Sequence, residues 1–135
     1  MKLRALVGGS ATVIGPEATL GDAAEALVGD EVGSLGVVSD RKLVGIITER
    51  DLVRALASGA EPEDEYVVDW MAEAPDTFSP DVDVTDAASW LLEVGYRHMP
   101  IMEDGELLGI VSIRDIMWAI VGTLQDKPGE GPSEG

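Results

Sequence analysis

Displaced by 64 positions, the chain repeats itself. Residues 3–58 align with residues 67–122 without a gap, and 12 of the 56 pairs are identical. The identities cluster. Asp22-Ala23-Ala24 matches Asp86-Ala87-Ala88, Gly45-Ile46 matches Gly109-Ile110, and Arg50-Asp51 matches Arg114-Asp115. Clustered identity without an insertion marks a duplication. Whatever one copy folds into, the other must also adopt. Units this short bury too little surface alone, so the two copies are expected to pack on each other about a pseudo-two-fold axis.

Each copy reads as the same string of elements. A short β run comes first (residues 12–14; 77–78), then a turn at Pro16 or Pro80. A helix follows, with apolar residues at i, i+3, i+4, i+7 and i+8: Leu20, Ala23, Ala24, Leu27 and Val28, and likewise Val84, Ala87, Ala88, Leu91 and Leu92. Two β runs joined by a tight turn come next, at 35–39 and 43–47, then at 99–102 and 107–111. The second turn is Asp104-Gly105, a strong hairpin signal. A last helix spans 49–57 in one copy and 113–124 in the other. The order β-α-β-β-α, twice, predicts an α+β fold. Residues 1–58 form the first unit, 59–65 an acidic linker carrying Pro62, and 66–124 the second unit. Residues 125–135, rich in Gly, Pro, Ser and Glu, form a tail expected to be disordered.

Composition narrows the chemistry. The chain lacks cysteine and has a single histidine, His98, which excludes thiolate zinc sites, a cysteine nucleophile and a multi-histidine metal site. With 26 acidic residues against 9 Lys and Arg, the net charge is −17. That balance argues against nucleic acid, whose phosphates need clustered cations, and against anionic membranes. No apolar run approaches the roughly 20 residues of a membrane span. The N-terminal run reaches glycine too early for a signal peptide. A cytoplasmic protein is expected.

The chemistry-bearing segments are Gly45-Ile46-Ile47-Thr48-Glu49-Arg50-Asp51 and Gly109-Ile110-Val111-Ser112-Ile113-Arg114-Asp115. Each runs a buried strand into a helix through a hydroxyl residue, with an acid three positions on. One reading is structural: Thr48 and Ser112 cap the helices, and Asp51 and Asp115 complete capping boxes. The other is functional. A helix N-terminus favours anions, while an ionised carboxylate accepts hydrogen bonds from a vicinal diol and repels phosphate. A ligand carrying both groups would set ribose hydroxyls on Asp51 or Asp115. Its phosphates would lie toward Thr48 or Ser112 and Arg50 or Arg114.

These segments resemble the signature of the cystathionine-β-synthase (CBS) domain, Gly-hydrophobic-x-Thr/Ser-x-x-Asp. The approach Gly-Tyr-Arg-His-Met-Pro-Ile at 95–101 is also typical of that family. Two tandem copies, spanning residues 3–122, resemble a stand-alone Bateman module. The resemblance implies two βαββα units with two clefts related by the pseudo-dyad. It also implies an adenosine ligand: AMP, ADP, ATP or S-adenosylmethionine, with magnesium accompanying a triphosphate. Asp51 and Asp115 would take the ribose, and Thr48 and Ser112 would sit beside it. Val13-Ile14 and Phe78-Ser79 would offer backbone groups to the adenine edge, and Arg97 and His98 would face phosphates. Pro100 has Gly36 at its counterpart in the first copy, a departure from the family pattern, and Arg97-His98 has Gly33-Ser34. The two clefts are therefore expected to bind unequally.

All three tryptophans, Trp70, Trp90 and Trp118, fall in the second copy, and Trp118 matches Arg54. An aromatic at a position that holds arginine in the other repeat points to an interface. A homodimer through Met117 and Trp118, with Trp90 a weaker candidate, is the expectation. The leading functional reading is a non-catalytic regulatory module acting on a separate, unknown protein partner. The alternative is a ligand-free dimerisation scaffold whose capping boxes are only structural. An enzyme is disfavoured, since no Gly-x-Ser-x-Gly elbow accompanies His98.

Overall fold

A computed structural model describes the chain at residues 1–8 and 11–124; the side chains of 123 and 124 are outside that description, as is the predicted tail. In order, the elements are a 3-10 turn (Leu3–Leu6), β1 (Val13–Ile14), α1 (Leu20–Asp30), β2 (Ser34–Ser39), β3 (Lys42–Thr48), α2 (Glu49–Ala57), α3 (Val67–Trp70), β4 (Ala72–Glu73), α4 (Val84–Val94), β5 (His98–Glu103), β6 (Glu106–Ser112) and α5 (Ile113–Leu124). The α+β expectation holds. One sheet has the order β1-β2-β3-β4, with β1 parallel to β2 and the other pairs antiparallel; β5 and β6 form a second, antiparallel pair.

The duplication survives in the registers. Ser34 pairs with Thr48 as His98 pairs with Ser112. Each hairpin also carries one irregularity at the same place, between Val37 and Val38 and between Ile101 and Met102. The outer strands differ: β4 pairs with β3, and among the described residues no strand pairs with the corresponding edge of β6. β1 makes two parallel pairs with β2, whereas its counterpart is reduced to a single bridge between Phe78 and Ile101.

Two apolar cores repeat in the same way. Leu20, Ala23, Leu27, Leu35, Val37 and Ile47 build the first. Val84, Ala87, Leu91, Met99, Ile101 and Val111, the residues 64 positions on, build the second. Each core is completed by a segment from the other half of the sequence. Leu3, fully buried, packs into the second core. Its backbone N–H donates to the carbonyl of Val82, and the N–H of Arg4 to that of Pro80. Val67, also fully buried, packs into the first core, where its N–H donates to the carbonyl of Ala18. Arg4 fastens the first crossing with ion pairs to Glu103 (2.6 Å) and Asp81 (3.1 Å). The turn at Leu3–Leu6 and the helix α3 that make these crossings have no counterpart among the predicted elements. Trp70, near the start of the second copy, accordingly belongs to the periphery of the first core.

Two predicted core positions are not core. Val28 and Leu92 close the apolar pattern of the first helix in each copy, yet they are 78% and 68% exposed. Burial on α1 and α4 ends at Leu27 and Leu91. The i+8 positions face outward, because the helices cover their sheets with a narrower stripe than the pattern implies. Trp90, the weaker interface candidate, makes edge contacts with Phe78 (5.4 Å between centroids) and Tyr96 (5.7 Å) beside the second core.

Candidate functional site

The strand-to-helix corners lie where two clefts open. At the first corner Thr48 and Asp51 satisfy each other: the N–H of Asp51 donates to Thr48 Oγ1 (3.3 Å), and the N–H of Thr48 donates to Asp51 Oδ2 (2.9 Å). At the second, Ser112 and Asp115 do the same, both at 3.0 Å. The first N–H of each helix is also fixed, to the carbonyl of Gly33 for Glu49 and of Arg97 for Ile113. These bonds hold both carboxylates at the mouths of the helices, where the backbone dipole favours an anion nearby. Both capping boxes are therefore formed.

Asp115, Ser112 and Arg114 line a cleft of about 1020 Å³, whose other walls come from the N-terminal segment (Leu6, Val7, Ala11, Thr12), the end of α1 and its cap (Leu27, Val28, Glu31) and Trp118. Asp51, Thr48 and Arg50 line a cleft of about 350 Å³, closed by Ala72 to Asp76, Tyr96 and Pro100. The two linings correspond under the 64-residue shift: Ile46 with Ile110, Asp76 with Thr12, Tyr96 with Val32. Four residues, Gly33, Glu49, Arg97 and His98, line both clefts. The clefts thus meet at a common wall on the pseudo-dyad.

That wall is crowded. A Cβ on Gly33 would lie 3.2 Å from both Glu49 Oε1 and His98 Nε2. Burial pushes the His98 imidazole below its ordinary pKa of 6.5. Glu49, Asp115 and Asp51 oppose this, and Arg97 reinforces it. Among the described residues Arg50, Arg97 and Arg114 carry no ion pair, so their charges are available to a bound anion.

The structure brings most of the predicted site residues together. Arg97, His98, Ser112, Arg114 and Asp115 share the larger cleft; Thr48, Arg50, Asp51, Arg97, His98 and Pro100 share the smaller. Val13, Ile14, Phe78 and Ser79 line neither. Val13 and Ile14 run beside β2, Phe78 meets Trp90 edge to face, and Ser79 Oγ accepts from the N–H of Asp81. Sequence reasoning missed the residues that close each cleft, 6–8 with 11–12 and 72–76. Their signal was positional: each lies immediately before a first β run. Glycines set their approach. A Cβ on Gly45 would lie 2.8 Å from the Ala72 carbonyl oxygen, and one on Gly109 would lie 2.8 Å from Val7 Cγ1. Among the described residues no group of acids and histidines could hold a metal ion, and no helix is long and apolar enough to cross a membrane.

This architecture, two interlaced βαββα units with a capped carboxylate in each of two clefts, defines a tandem CBS pair. The CBS-domain family pattern matches residues 9–58 and 67–122, and the chain belongs to that family. Its relatives include an uncharacterised 17.7 kDa protein of Acidianus ambivalens, 41% identical over 123 residues, covering 87% of this chain and 74% of that one. Three other relatives are longer, and the chain spans between 36% and 53% of their length. Among solved structures, a CBS-domain protein of Agrobacterium tumefaciens superposes with a TM-score of 0.83 at 28% identity, covering 89% of this chain and 99% of that one. A CBS protein of Pyrobaculum aerophilum, solved with AMP, superposes with a TM-score of 0.79 at 23% identity, covering 90% and 98%.

Proposed function

We propose that the chain is a non-catalytic regulatory module that binds an adenosine-containing ligand in the clefts between its halves and transmits occupancy to a separate protein. One observation carries this reading. Asp115 is held at the mouth of a 1020 Å³ cleft by its bond from Ser112, which uses Oδ2 and leaves Oδ1 without a partner among the described residues. That oxygen is an acceptor of the kind a ribose diol requires. Ser112, Arg114, Arg97 and His98 surround it with donors for a phosphate or another anionic group. The AMP-bound relative supports the ligand class. Any magnesium would arrive on a triphosphate, since no metal-holding cluster is formed by the described residues.

Ligand would bridge the two halves, whose cleft walls come from both, and so shift their relative population of arrangements. A homodimer would supply the surface that reads this shift. Met117 on α5 and Val53, its counterpart on α2, are both exposed, as are Trp118 and Leu56. Trp118 has Arg54 at its counterpart, so the apolar patch on α5 is the larger, and a two-fold dimer would set that patch against itself. Sedimentation at micromolar concentration should give a dimer that Met117→Glu disrupts; a monomeric wild type would remove the dimer from the proposal.

Thermal melting with AMP, ADP, ATP and S-adenosylmethionine tests the binding reading. A ligand at 100 times its Kd adds about 2.7 kcal/mol, an unmistakable shift. The capping boxes favour a second reading, a ligand-free scaffold. On that reading no ligand moves the transition, and Asp115→Ala lowers stability alone.

A further inference from the structure

We infer that the chain takes its ligand in the Asp115 cleft alone, and that Arg54 closes the Asp51 cleft to ribose. This rests on the adenosine-binding reading above and goes beyond it by assigning the occupied cleft and the residue that decides it.

The two carboxylates are equivalent in the repeat, and each accepts the N–H of its cap residue through Oδ2. They differ at Oδ1. In Asp51 that oxygen accepts from Arg54 Nη2 at 2.6 Å, and the side chain is only 15% exposed. Thr48 Oγ1 donates to the other oxygen as well (3.2 Å), so both oxygens of Asp51 are engaged. Donor and acceptor are both ionised here, whereas a ribose hydroxyl would bring a neutral donor to the same oxygen. A ribose hydroxyl therefore has little to gain by displacing it. In Asp115 the residue one turn on is Trp118, which lines the cleft and forms no ion pair, and Asp115 is exposed.

Cleft size and charge point the same way. The Asp51 cleft has about a third of the volume of the other, and its wall carries Asp76 where the larger cleft has Thr12. The cation Arg97 and the imidazole of His98 on the common wall are a single set serving both clefts. One phosphate held there from the larger cleft leaves the smaller with Arg50 alone. Arg54 is thus a specificity-determining residue, acting on ligand through Asp51.

Calorimetric titration of the full chain with AMP at neutral pH tests this, with melting curves confirming that every variant folds. The wild type should bind one AMP per chain. Asp115→Asn, which keeps an acceptor for the Ser112 cap, should weaken binding at least tenfold. Adding Arg54→Ala to Asp115→Asn should restore measurable binding, and adding Asp51→Ala to that pair should abolish it again. Two equal sites in the wild type overturns the proposal, as does a failure of Arg54→Ala to restore binding. Wild-type binding that survives Asp115→Asn does the same. Each of these leaves the adenosine reading intact. Absence of binding in the wild type, with AMP and with the other nucleotides, overturns both.

Discussion

Asp40 and Arg41 turn the β2–β3 hairpin with φ of 52° and 66°, a left-handed conformation that L residues avoid. The matching turn uses Asp104 and Gly105, at 52° and 81°. Glycine adopts this geometry without the Cβ penalty, so Arg41→Gly should stabilise the chain by about 1 kcal/mol, read by urea denaturation. Gly45 has the opposite constraint. A Cβ there meets the Ala72 carbonyl oxygen at 2.8 Å and Met71 Sδ at 2.5 Å. Backbone cannot yield as a side chain can, so Gly45→Ala should cost about 1–3 kcal/mol. Gly109→Ala, which meets only Val7 atoms, should cost less in the same assay. At this scale the site was legible where chemistry is local. Thr48 and Asp51, and likewise Ser112 and Asp115, sit three residues apart, and the corner motif exposes each pair. The contrast between Arg54 and Trp118 was visible as a mismatch. That Arg54 would turn back onto Asp51 depends on a side-chain choice that residue type alone does not make.

Helices and strands were read from periodicity, and both hairpins and both final helices fall where the pattern puts them. The crossing segments were not, for a physical reason. Leu3–Leu6 and Val67–Trp70 are four-residue elements, too short to display a period, and their stability comes from docking in a distant core. Leu3→Ala should therefore cost about 2–5 kcal/mol despite its place near the chain start. Hydrogen exchange should show the loss in α4, β5 and β6. Loss concentrated in α1 and β2 instead would contradict the crossed packing. Val28 and Leu92 mark the other limit of periodic reading: a stripe predicts which side of a helix is apolar, not how far the sheet beneath it extends.

For the whole molecule, the common wall links protonation to stability. Burial keeps His98 below its ordinary value of 6.5, so the unfolded chain takes up a proton that the folded chain resists. The contribution of neutral His98 is complete above the unfolded value and declines as pH falls through 6.5 toward the folded value. Stability measured by denaturant between pH 7.5 and 5.5 should fall with acid, and His98→Gln should flatten that slope. An unchanged slope would show that carboxylates elsewhere govern it. The pseudo-dyad was legible at this scale from the gapless repeat. The sharing of Arg97 and His98 by both clefts was not, since it follows from how closely the halves approach.

The exchange of Leu3 and Val67 between cores has a consequence for the duplication itself. A single copy cut out at its sequence boundary would carry the plug belonging to its sibling and lack its own. Two such fragments, severed within residues 59–64 and mixed, should rejoin into an interlocked pair, each supplying the stopper the other is missing. The smallest inheritable working unit of this architecture is the couple, never the half.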